Sequence, residues 1–145
     1  MHRLKQLTSS LLLLGFAAGC GAKTAGPTTF PVTGVVTLAG APVEEAQVEF
    51  VPSSPDLGIA GAQVSTDSAG AFNVKIQLDM GKTTKEGLPA GDYRVAITKL
   101  VLPPGQTTMS KPPQNTLPPK YATVESTPLR VTVKAEGENH FEFPL

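Results

Sequence analysis

VTGVVTLAGAPVEEAQVEFVP, residues 32–52, alternates apolar with polar or small side chains in two limbs. Val32, Gly34, Val36 and Leu38 fall on one side of an extended backbone, and Val48 and Phe50 do the same in the second limb. That period of two is the signature of half-buried strands. Between the limbs, Gly40-Ala41-Pro42 supplies a residue free to take positive φ and another whose φ is fixed near the turn value, so the stretch reads as a hairpin or near-hairpin. Two strands cannot bury an apolar face by themselves, so the rest of the chain has to supply their partners.

It does so in both halves. After a loop at residues 53–61, a third strand is expected over 62–66. In TDSAGAFNVKI, residues 66–76, Asp67 can accept a backbone hydrogen bond and Gly70 can turn left-handed before Phe72, Val74 and Ile76 resume alternation. GLPAGDYRVAITK, residues 87–99, makes a tight turn at Pro89 and Gly91, then points Tyr93, Val95 and Ile97 inward and Arg94, Ala96 and Thr98 outward. Near the C-terminus Leu129, Val131 and Val133 form one inward row and Phe141, Phe143 and Leu145 another. Tyr121 is placed to hydrogen-bond backbone at the end of the fold, and His140 to face solvent or a sheet edge. With 14 glycines and 14 prolines in 145 residues, the chain favours many turns over long helices and fits one all-β domain.

Three of these motifs together, VTGVVTLAGAPV, the T-D-x-x-G-x-F turn and G-L-P-A-G-x-Y-R-V, resemble the carboxypeptidase regulatory-like domain, also described as transthyretin-like or prealbumin-like. The resemblance covers residues 32–145. It implies a seven-stranded antiparallel Greek-key β-sandwich, and it speaks to fold rather than to any activity.

The first residues carry Arg3 and Lys5, then an uncharged apolar run from 11 to 18, then small residues at Ala17, Ala18 and Gly19, the order of a secretory signal peptide. No apolar segment reaches the eighteen or so residues needed to cross a bilayer as a helix. LLLLGFAAGC, ending at Cys20, resembles the lipobox of bacterial lipoproteins. That resemblance implies a leader over 1–19, cleavage before Cys20, a diacylglyceryl thioether on its thiol and acylation of the new amino terminus, with palmitate as a typical chain. The alternative is ordinary secretory cleavage after Gly19, leaving Cys20 free. Gly21 is not an acidic retention residue, which points the lipoprotein reading toward the outer membrane of the cell envelope. Residues 20–31 then form the lipidated cysteine and a flexible spacer.

Chemistry is scarce. Removal of Arg3 and Lys5 with a leader leaves more acidic than basic side chains, there is no Trp, and the few aromatics sit at strand or turn positions, so nucleic acid is not an expected partner. Asp67, Ser68 and Gly70 hint at a calcium loop, but Ala69, Ala71 and Phe72 leave its ligand positions empty, and no metal or cofactor is expected. Gly81-Lys82-Thr83 lacks the upstream glycine of a phosphate loop, because Ile76 stands there, and Gly87, Pro89 and Gly91 would break the helix it needs. Hydrolases of the transthyretin-like family resemble one another in several histidines and a Y-R-G-S tail. Here His140 is the one histidine beyond the leader and the tail reads FEFPL, so that activity does not carry over. Glu44, Glu45 and Glu49 could make a carboxylate pair, yet on a turn and strand they read as a solvated face. Residues 102–120 hold six prolines, read as extended and water-exposed, and are the leading candidate for contact with envelope proteins. The functional expectation is a membrane-anchored, non-catalytic envelope module in a structural or protein-interaction role, with a small-ligand or glycan binder as the alternative.

Overall fold

The computed structural model describes residues 26–107 and 110–145, and the leader and Cys20 lie outside the described residues. Twelve strands follow one another: β1 (Thr33–Leu38), β2 (Ala41–Pro42), β3 (Gln47–Pro52), β4 (Ala62–Ser65), β5 (Ala71–Asn73), β6 (Lys75–Leu78), β7 (Thr83–Glu86), β8 (Gly91–Thr98), β9 (Leu100–Val101), β10 (Gln114–Asn115), β11 (Arg130–Val133) and β12 (His140–Pro144). Among the described residues the only helical pieces are single 3-10 turns, so the described fold is all-β.

One sheet runs β11-β8-β3-β4 and is antiparallel throughout. A second is centred on β1, which pairs with β12 on one flank and with β5 and β2 on the other. The β6–β7 hairpin is a separate two-stranded sheet that follows β5 in the chain and packs against β4 of the first sheet. Val74, between β5 and β6, gives its N–H to Val32 and its carbonyl to Gly87, and Phe30 exchanges two backbone bonds with Leu88. Between these layers lies one apolar cluster: Val48, Phe50, Tyr93, Val95 and Ile97 from the first sheet meet Val32, Val36, Phe72, Ile76, Leu88 and Phe143 from the other side. Phe72 stacks on Phe143 at 6.1 Å and tilts against Phe50 at 5.9 Å. Gly34 makes this possible, since a Cβ there would overlap the Phe72 ring and the Phe141 carbonyl.

The alternation of residues 32–52 holds, with Val32, Gly34, Val36, Val48 and Phe50 all buried. The hairpin does not. β1 reverses at Ala39-Gly40 (φ 50 and 83), and Leu38 pairs with Ala41, so Ala41 and Pro42 belong to the returning strand instead of the turn. Two successive positive φ values give the type I′ geometry that matches strand twist. β3 pairs with β8 and β4 in the other sheet. The chain crosses because Val43 and Ala46 are buried, and their segment is tacked to Thr66, whose hydroxyl donates to the Val43 carbonyl at 2.6 Å and accepts from the Ala46 N–H at 2.8 Å. The two limbs therefore face each other across the core.

A second correction concerns strand direction. β12 runs parallel to β1, from Thr33 opposite His140 to Thr37 opposite Pro144, whereas the resemblance implies an antiparallel arrangement throughout. Parallel neighbours need a long connection, and β1 and β12 are joined by the whole chain between Leu38 and His140; its last step, residues 134–139, leads from β11 in the first sheet to β12 in the second. Phe30, two residues before the start of the resemblance, is bonded to Leu88.

Candidate functional site

The residues singled out as possible chemistry are scattered. Asp67 caps a turn, its Oδ1 accepting from the N–H groups of Ala69 and Ala71 at 2.9 Å each, with Gly70 at φ 72. Gly81-Lys82-Thr83 sits where the β6–β7 hairpin turns into β7, with no helix following. Glu44 and Glu45 are exposed on the crossover, and Glu49 is exposed on β3 between Gln63 and Ala96. His140 is exposed, and its Nδ1 lies 3.0 Å from Thr33 Oγ1 across the parallel pair. No group of three or more metal-ligating side chains comes together among the described residues.

Buried polar side chains serve the backbone. Besides Thr66, Thr127 donates to the Val95 carbonyl at 2.7 Å and accepts from the Leu129 N–H. Asn139 bonds both the N–H and the carbonyl of Lys134, closing the last crossover. The tyrosine that bonds backbone at the end of the fold is Tyr93 rather than Tyr121: its hydroxyl donates to the Pro89 carbonyl at 2.8 Å. Burial pushes the Tyr93 phenol up to about 12, because the phenolate would lose its water. Tyr121 is buried too, with Lys120 Nζ 4.8 Å above its ring, in the turn that packs on β8. Ala96, expected to face outward, is likewise buried, and both lie outside the main core cluster.

The proline-rich stretch departs from a wholly water-exposed run. Its C-terminal part returns as β10 to pair with β9, Asn115 Oδ1 accepts from the N–H groups of Lys99 and Leu117, and Leu117 enters the core. Proline is tolerated because β9 and β10 form an isolated two-stranded ribbon with no further ladder to complete. Between this ribbon and the β1–β2 hairpin lies a cleft of about 360 Å³, lined by Leu38, Pro42, Val43, Val101 and Leu117 among others. Leu100, Val101 and Leu102 are exposed beside it, at 59%, 42% and 38%. Val101 lines the cleft itself, and Leu100 and Leu102 flank it in sequence, so apolar surface meets solvent at this edge. Sequence reading missed Leu100 and Val101, although the run Leu100-Val101-Leu102 breaks alternation just past β8 and was the available signal.

No family model matches the chain, and no curated protein matches it either.

Proposed function

We propose that the chain is a bacterial envelope lipoprotein, held at a membrane through acylated Cys20, whose transthyretin-like β-sandwich is a non-catalytic module for contact with other envelope proteins. The observation that carries the reading is the stretch ending Ala17-Ala18-Gly19-Cys20 behind a basic and apolar leader. Two or more acyl chains give stable attachment where one gives only marginal binding, at about 0.8 kcal/mol per buried methylene. Phe30 is bonded into the fold ten residues beyond Cys20, so an extended tether would hold the domain within roughly 35 Å of the lipid surface. Support for a protein contact comes from Leu100, Val101 and Leu102 beside the Leu117 cleft. The same cleft supports the alternative of a small apolar ligand, while the burial of Tyr93 and Tyr121 removes both tyrosines as glycan-stacking platforms.

The test is Cys20→Ala. The native protein should partition into the detergent phase and carry acyl mass on its N-terminal peptide, and the variant should lose both. Native protein without acyl mass would end the lipoprotein reading.

A further inference from the structure

The described chain begins alongside the β6–β7 hairpin. Lys85 Nζ donates to the Pro27 carbonyl at 3.2 Å, and Phe30 forms an isolated antiparallel bridge with Leu88 just past β7, so the described chain starts beside this hairpin and leads away from its tip. Gly26 sits against the last residue of β6: a Cβ on it would lie 2.7 Å from Leu78 Cδ1 and 3.5 Å from Lys85 Nζ. The tip therefore begins one residue beyond the point where the chain arrives from Cys20. Gly26 lies six positions beyond Cys20, a reach of at most about 21 Å.

The tip itself is unusual. Asp79, Met80 and Gly81 take φ values of 52, 56 and 86, and two of the three are not glycine. Left-handed backbone costs such residues energy, and it persists where the surroundings or a function demand it. Met80 is fully exposed, while Asp79 Oδ2 accepts from Thr83 Oγ1 at 3.4 Å and Lys82 is exposed beside Thr83. A flexible apolar side chain at a hairpin tip suits the boundary between headgroups and acyl chains, where Lys82 can meet lipid phosphate while the adjacent Asp79 carboxylate is engaged by Thr83.

We infer that the Leu78–Lys82 tip is a second membrane contact, inserting Met80 into the interface of the bilayer that holds the Cys20 acyl chains. The inference rests on the lipoprotein reading. It gives the domain a fixed orientation, because β5 and β6 extend about 26 Å from the tip to the Asp67–Gly70 turn, which is carried away from the lipid.

The test uses full-length lipidated protein in phosphatidylethanolamine–phosphatidylglycerol vesicles. Once Cys20 is acylated, Met80→Cys and Ser68→Cys each leave a single free thiol, and an environment-sensitive NBD group is attached there. The label at 80 should show blue-shifted emission and quenching by a lipid-resident nitroxide, and the label at 68 neither. Acylated protein whose label at 80 is as water-exposed as that at 68 overturns the inference and leaves the anchor standing. Absence of acyl mass on Cys20 removes the anchor and this contact together.

Discussion

Tyr93 carries two separable effects in one hydroxyl. The bond to Pro89 ties the start of β8 to the preceding turn, and the surrounding core keeps the phenol neutral. Its folded-state value of about 12 lies above the ordinary value of 10.0, so the folded form holds the proton more tightly than the unfolded chain. The associated stability is complete below pH 10 and is lost as pH rises from there through 12, at about 1.4 kcal/mol per unit for this one group. Tyr93→Phe should cost about 1 kcal/mol at pH 7, through the lost hydrogen bond and an unpaired Pro89 carbonyl. It should also flatten the alkaline fall relative to wild type. Urea melts of both proteins at pH 7, 10 and 11.5 measure both effects, and parallel losses would refute the assignment. The inward position of Tyr93 was legible from its alternation with Val95 and Ile97. Its hydrogen bond was not, because nothing in G-L-P-A-G-x-Y says which of two tyrosines meets a carbonyl.

Among the elements, the β1–β2 turn shows where local reading works and where it stops. Gly40 announced a reversal, but the conformation at Ala39 depends on Leu38 pairing with Ala41, a register that spacing alone leaves open. Alanine at φ 50 carries a left-handed penalty that asparagine bears more easily. Asn-Gly is also the preferred pair for this turn. Ala39→Asn should therefore stabilise the domain by about 0.5–1 kcal/mol, raising the thermal midpoint by a few degrees, as calorimetry would show. A lower midpoint would mean that the turn is not type I′. The cleft was illegible for a related reason. Leu117 lies among prolines that mark exposed chain, and only the return of β10 onto β9 brings it inside.

For the whole molecule, the apolar pattern announced extended layers around a core, yet it could not say which strands share a layer. Val36 and Val48 look the same in sequence whether their strands pair or face each other. The Thr66 hydroxyl and the Asn139 amide decide it by holding the two crossovers, and neither residue belongs to an apolar row. The parallel β1–β12 pair makes the last strand essential. Chain ending at residue 138 should lose Phe143 from the core and leave one flank of β1 unpaired along its five β12 partners. Such a fragment should show no cooperative thermal transition and should aggregate, which circular dichroism and light scattering would follow; a sharp transition near that of the full domain would contradict the pairing.

That same pairing sets how the domain would bear force. The N-terminal side of the described chain leads into β1 at Thr33, and β12 ends at the opposite pole, where Leu145 donates to the Thr37 carbonyl at 2.8 Å. A pull between an anchored N-terminus and anything gripping the C-terminal strand acts along both strands in opposite directions. The bonds of the ladder then share the load in shear, and they must break together instead of unzipping one after another.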